Sequence, residues 1–410
     1  MKVSLEHAWD LIQGIELKTN PEVISIFKAS GRVSYRDVPA ANDSPPFDQS
    51  RFDGFAVGDP INEKESYRII HGKSVTAGDP GPYVVSQGEA LPIMTGSPVP
   101  KGTRWVVPHE TCVIQGDTLT LQKIPKKERM VLKKGADFAK GDVLLRKGER
   151  INPLHAAFLA LDGKSRIEVF SLPMLAVVSL GNELTSIGTK RLKKATIRNS
   201  HPALIQSLVH PSGEVKYRKL VADDIGKIKE ILIESLQSKA QVIITTGGMG
   251  AGVKDLTRKA IHAVGATPLF EGVDAVPIGT FSCYLYGEKI IFSLPGGMVG
   301  VLLLTKLFVV PFLMKLQGAR IPPEIGPFKR AVLPVSSVKR LEEGAFPIKR
   351  RETQKTVRFV KARFWTDEQG ETYVAPLDAE ALLKINSFIV MDSRDKTDNG
   401  KVPIFTLWNE

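Results

Sequence analysis

Cysteine is almost missing from this chain. Cys112 and Cys283 are the only two among 410 residues, far apart and outside any Cys-x-x-Cys or Cys/His cluster. Such a count gives no support to a disulfide framework, a structural zinc site or an iron–sulfur cluster, and it fits a reducing compartment. The seven histidines show no His-Glu-x-x-His or paired spacing, and no serine sits in a Gly-x-Ser-x-Gly elbow. Covalent catalysis is therefore unsupported, and packing or surface roles are expected of the histidines. Long clean apolar runs are lacking too. The most apolar stretch, 298–314, holds Lys306 and Pro311, falls short of about 20 clean residues and reads as a buried helix. The opening MKVSLEHAWDLIQ carries Glu6, His7 and Asp10 where a secretory signal needs an apolar core. A cytoplasmic protein without membrane contact is the expectation. Acidic residues are outnumbered, 44 against 56 Lys and Arg, leaving +12. That excess favours an anionic partner: nucleic acid, a phosphorylated small molecule or an oxyanion.

What is present divides by texture. Residues 4–17 and 21–30 have helical apolar spacing. From Val38 to about Lys126 the chain is broken by SPPFD, AGDPGPY, QGEALP and TGSPVPKGT, with short β-type runs between. Strand-like VLLRKG and a helix over NPLHAAFLALDG, ended by Gly163, follow. Residues 172–318 alternate apolar strands (LAVVSL, QVIITT, KIIFSL) with helices, which predicts a parallel sheet covered on both faces. Beyond 319 the signals are mainly strands. The expected organisation is α/β multidomain. A discontinuous linker domain takes 1–40 with 131–170, and a β-rich insert takes 41–130. A parallel-rich α/β domain takes 171–318, and a C-terminal β domain takes 319–410.

Three loops at strand C-termini are where an open sheet binds ligands: SLGNELTSIG, TTGGMGAG and SLPGGMVG. Gly181 permits a tight turn beside Glu183, while Gly247, Gly248, Gly250 and Gly252 free N–H groups for an anion near a helix start. Structural turns explain one such loop well, but three on one edge favour a phosphate or oxyanion pocket. The spacing fits neither the dinucleotide fingerprint nor a Walker A loop. Asp53-Gly54 reads either as a hairpin turn or, with the second loop IMTGSPVPKGT around Thr95, as a functional pair. Carboxylates without His or Cys partners suit a hard cation such as Mg²⁺; the candidates are Asp53, Glu183, Asp223, Asp224 and Asp255. Asp223 and Asp224 equally fit a helix start. The basic runs KIPKKERMVLKKG, TKRLKKATIR and IKRRETQKTVRFVKAR read first as solvated faces, then as phosphate attraction. Without a nucleic-acid-binding motif, nucleic acid is a minority option.

In order along the chain, these motifs resemble the MoeA/gephyrin E-domain family of molybdenum-cofactor biosynthesis. SPPFDQSRFDGFAVG is similar to PPFDNSAMDGYAV, and SLGNEL to S-T-G-D-E-L. ITTGGMGAGVKD is similar to I-T-S-G-G-V-S-V-G-x-x-D, and FSLPGGMVG to F-x-L-P-G-N-P-V-S. The resemblance implies a MogA-like α/β domain, a C-terminal β-barrel-like domain and a homodimer whose cleft combines both subunits. It also implies a MogA-type protein as upstream partner. The implied reaction is Mg²⁺-dependent cleavage of adenylylated molybdopterin, a phosphorylated pterin, releasing AMP and inserting molybdate (or tungstate). By position, Asp53, Thr95, Glu183 and Asp255 would be catalytic, and Glu183 with Asp224 would hold the metal. Ser179, Gly181, Asn182, Asn199, Thr246, Gly247, Gly248, Gly250, Gly252, Pro295, Gly296 and Gly297 would line the cofactor site.

The chain departs from that pattern. Asn182 stands for an Asp and Gly250 for a Ser; Val253 stands where an Asp is frequent. LPGGMVG lacks the Asn, Pro and Ser of the family motif. The run 275–280 (AVPIGT) stands where the family has M-K-P-G-K-P, so both lysines are gone. An anion needs donors or charge to offset desolvation, so weakened oxyanion binding is implied, with Arg258 or Arg358 as compensating candidates. A paralogue that binds molybdopterin or its nucleotide without efficient insertion, and a scaffold protein on the same fold, are the alternatives.

Overall fold

The computed structural model describes residues 2–17, 19–61, 66–122, 130–248 and 255–319 with their side chains. Of the C-terminal part it describes the backbone of strands Phe328–Val332, Val357–Thr366, Thr372–Pro376, Ser387–Asp392 and Lys401–Thr406. Contacts divide the chain into two units, residues 1–22, 31–35 and 169–410, and residues 23–30 and 36–168.

The first unit is built on a six-stranded sheet. Glu214–Val221, Met174–Leu180, Val242–Thr246 and Lys289–Leu294 run parallel in that order, followed by antiparallel Ser282–Tyr286 and Thr267–Glu271. The sheet is parallel-rich as expected, and the hairpin 282–294 adds antiparallel pairings at one edge that make it mixed. Both faces are covered, as the unbroken apolar strands require. Leu175, Val177, Val242, Ile244, Ile290 and Phe292 point into one core. Their neighbours Ala176, Val178, Ile243 and Ile291 point into the other. Met298–Leu316 forms one helix, long and apolar enough by composition to cross a membrane, yet two thirds of it is buried in the first core. It carries a π-helical turn at Thr305–Val309 just before Pro311, which lacks the N–H an α-helix would need there. The C-terminal strands curl into a mixed sheet, since Val357–Thr366 pairs with both Thr372–Pro376 and Ser387–Asp392 while Phe328–Val332 runs parallel to Thr372–Pro376.

The second unit holds a six-stranded sheet ordered Trp105–Pro108, Gly54–Val57, Glu89–Ile93, Ser66–Ile69, Thr118–Leu121 and Cys112–Gln115. Phe55, Val57, Tyr67 and Leu119 pack on one face, and Ala56, Leu91, Ile93 and Val106 on the other. Helix Pro153–Leu161 is started by an Asn152 capping box. Just past its end, buried Asp162 accepts from the N–H of Ala41 and Asn42 at 2.8 and 2.9 Å, tying segments some 120 residues apart. The helix expected over 21–30 is instead strand Pro21–Ser25 and a 3₁₀ turn, Ile26–Lys28. Pro21 with β-branched Val23 and Ile24 outweighs the apolar spacing.

Candidate functional site

The sheet of the first unit reverses its winding between Met174–Leu180 and Val242–Thr246, and the crevice beyond the strand ends at such a point is where open sheets bind ligands. A cavity of about 740 Å³ lies there. Its lining brings together Gly181, Asn182, Glu183, Asn199, Gly247, Gly248, Pro295 and Gly296, all expected from sequence. Asp223, another of the expected carboxylates, stands with them, and the lining adds Arg198, Ser200 and His201.

Local backbone demands explain the glycines. Gly247 has φ +89°, and a Cβ there would sit 2.4 Å from the Leu180 carbonyl oxygen; at Gly248 it would meet Thr257 Oγ1 at 2.3 Å. Only glycine lets this loop pass so close to the neighbouring strand end. Over Gly181 (φ +154°) lies the Glu183 carboxylate, 2.5 Å from where a Cβ would be. Among the described residues nothing is hydrogen-bonded to that carboxylate, and its side of the cavity stays open to a ligand. Loops 181–184 and 222–223 are stitched reciprocally: Asp223 N–H donates to Asn182 Oδ1 at 3.0 Å, and Asn182 N–H to Asp223 Oδ2 at 3.4 Å.

Beneath the loops runs a buried polar chain. Thr246 Oγ1 donates to Ser179 Oγ at 3.3 Å and lies 3.0 Å from His201 Nδ1. Burial pushes the His201 imidazole below its ordinary range, against an upward pull from Glu183. Ser179 and Thr246 therefore support the floor and are absent from the lining. Asn199 is buried in the wall with its Oδ1 unpartnered among the described residues, an acceptor left for a donor from the cavity.

Besides Ser179 and Thr246, three further expected residues of the first unit stand apart from this lining. Asp224 caps helix Ile225–Gln237 by accepting from Lys227 N–H at 2.9 Å. Asp255 caps Leu256–Ala263 and pairs with Arg258 Nε at 3.1 Å. Gly297 precedes Met298–Leu316 as its N-cap. Gly250 and Gly252 lie outside the described residues. His201, which the histidine spacing gave no reason to single out, is a cavity residue; its one sequence signal is the start of a helix right after Asn199.

The second unit carries the other candidate pair. Asp53 Oδ1 accepts from Thr95 N–H at 2.7 Å and from Thr95 Oγ1 at 2.8 Å. Both bonds, the backbone one first, hold this exposed carboxyl below the usual Asp range, helped by His109. Asp53-Gly54 is not a hairpin turn: Gly54 opens a strand inside the sheet, where a Cβ would lie 1.9 Å from the Val107 carbonyl oxygen.

Comparison with known proteins identifies the family. Residues 3–163 match the family model of the MoeA N-terminal region (domain I and II), and 176–315 match the probable molybdopterin binding domain. A molybdopterin molybdenumtransferase of Staphylococcus aureus is 31% identical over 72% of this chain and 71% of its own. One from Haemophilus influenzae is 26% identical over 93% and 92%. The crystal structure of the molybdopterin biosynthesis MoeA protein of Pyrococcus horikoshii shares the fold, with a TM-score of 0.74 and 24% identity over 99% of this chain and 100% of that one.

Proposed function

The chain belongs to the molybdopterin molybdenumtransferase (MoeA) family of molybdenum-cofactor biosynthesis, and from that premise we propose that it cleaves adenylylated molybdopterin and inserts molybdate, releasing AMP. The observation that carries the reading is the cavity itself. Glycine loops, and the Asn199 acceptor and Glu183 carboxylate that have no partner among the described residues, line one cavity and would suit a phosphorylated pterin, which needs backbone donors, an acceptor and a cation ligand. The donor set fits Mg²⁺, which takes one or two carboxylates and shares phosphate oxygens; when bound it would neutralise charge on the phosphates. Glu183 is the first choice to hold it. Asp223 faces the same cavity, whereas Asp224 is engaged as a helix cap.

The chain's own groups do the rest. Strand-end N–H groups bind and orient the phosphates. Asn199 takes a hydrogen bond from the ligand. Asp53, which the family resemblance places among the catalytic residues, is ionised and fixed by Thr95 and would supply an anionic acceptor, and Asp255 keeps the 256–263 helix start in place. A homodimer, a MogA-type upstream partner, a cytoplasmic location and tungstate as an alternative oxyanion belong to the same reading. A second reading, binding without insertion, is favoured by one observation: Arg198 is the only Lys or Arg among the described lining residues.

Purified full-length protein with adenylylated molybdopterin and Mg²⁺, with and without molybdate, decides between them. Molybdate-stimulated AMP release is expected. Tight nucleotide binding with no turnover at any molybdate concentration would overturn insertion in favour of the second reading.

A further inference from the structure

The described lining of the cavity is acidic, yet the ligand class proposed for it is anionic. Its described lining holds the carboxylates of Glu183 and Asp223 against one guanidinium, Arg198. That guanidinium is already turned aside, donating to the Thr189 carbonyl at 2.7 and 3.1 Å. Positive charge is carried instead by the loop that joins two wall strands. Strand Leu184–Thr185 and strand Ile197–Arg198 pair in parallel, and both contribute lining residues. The loop between them carries Lys190, Arg191, Lys193 and Lys194, all exposed, and among the described residues none of the four is in an ion pair.

This loop has a fixed shape. Thr185 and Thr189 hydroxyls lie 2.8 Å apart, and Thr196 Oγ1 donates to the Lys193 carbonyl at 2.8 Å. Ala195 sits at φ +62°, the only non-glycine residue in the left-handed region among the described residues. A non-glycine residue there costs backbone energy, and such conformations persist where the surroundings hold them. Four unneutralised cations on a structured loop whose two ends form the cavity wall would raise the local concentration of anions at its mouth.

We propose that loop 186–196 is an anion-docking lip, whose four cations engage the phosphate groups of the ligand as it enters the cavity. The identity of that ligand rests on the function proposed above; the docking of a phosphate anion does not. The test uses inorganic pyrophosphate as probe, followed by titration calorimetry on the full chain at several salt concentrations, so it reads out whether or not the protein turns over. The variant K190Q/R191Q/K193Q/K194Q is expected to weaken binding roughly tenfold near physiological salt and to flatten its salt dependence. A charge-matched pair separates local from global charge: K193Q/K194Q is expected to lose several-fold, while K229Q/K239Q, on residues outside the lining, loses less than about twofold. Equal losses in the two double variants, an unchanged quadruple variant, or no binding of pyrophosphate by the unaltered protein at millimolar concentration would overturn the proposal. Loss of AMP-releasing activity with pyrophosphate docking intact would instead count against the proposed reaction alone.

Discussion

Asp53 and Glu183 are both exposed carboxylates carried at the end of a sheet strand, but the protein treats them oppositely. Asp53 is satisfied before any ligand arrives, with two hydrogen bonds from Thr95 on one oxygen. Glu183 is left without a hydrogen-bond partner among the described residues, folded over a glycine at the cavity wall. A carboxylate already bonded by the chain serves as a fixed anion; one left open serves as a ligand for something that binds. The glycines beside them differ in the same sense. Gly54 is demanded by a neighbouring backbone within the sheet, and Gly181 by its own φ of +154° together with the Glu183 carboxylate folded over it.

The largest expected effect breaks the open member of the pair. Glu183→Gln should lower molybdate-dependent AMP release by about 10²–10³-fold. The melting temperature should stay within about 2 °C, because no internal bond is lost. Next comes Gly54→Ala, expected to destabilise by about 3 kcal/mol or more in urea unfolding, since the clash is with a carbonyl that cannot rotate away. Gly181→Ala, whose clash is with a flexible side chain but whose φ of +154° an L residue rarely adopts, should also lose stability and in addition disturb Glu183, lowering activity.

Thr95→Val tests the satisfied member. Removing one of two bonds should raise the Asp53 pKa towards the ordinary Asp range, as an NMR titration would show, with activity down roughly tenfold. The sign follows from linkage. A depressed native carboxyl contributes its stabilisation above the unfolded-state value and loses it as pH falls through the native one, so the variant's window narrows from the acid side. The smallest effect concerns His201, whose buried imidazole resists protonation. The unfolded chain then binds the proton at higher pH, so stability falls as pH drops from about 7 towards 5. Urea unfolding at both ends of that range should show the slope reduced in His201→Gln.

The cavity was legible where chemistry and turn geometry coincide. Unbroken LAVVSL, QVIITT and KIIFSL could only be strands buried on both faces, and their glycine-bearing ends located the site. Edges were less legible. Strand Glu214–Val221 alternates lysine and arginine with apolar residues at the sheet margin, and Thr267–Glu271 contains Pro268, so neither looks like a core strand. Asp223 and Asp224 could not be told apart, because both suit a helix start; the structure gives the cap to Asp224 and the cavity to Asp223. His201 was hidden because its role depends on Thr246, 45 residues along the chain, and through it on Ser179, itself 67 residues from Thr246.

The contrast between the two carboxylates is most directly tested by calorimetry of adenylylated molybdopterin binding, with and without Mg²⁺, in the unaltered protein, Glu183→Gln and Thr95→Val. Mg²⁺ should tighten binding in the unaltered protein and in Thr95→Val, and should lose that effect in Glu183→Gln. An undiminished Mg²⁺ effect in Glu183→Gln would contradict the assignment of Glu183 as the open, cation-holding carboxylate.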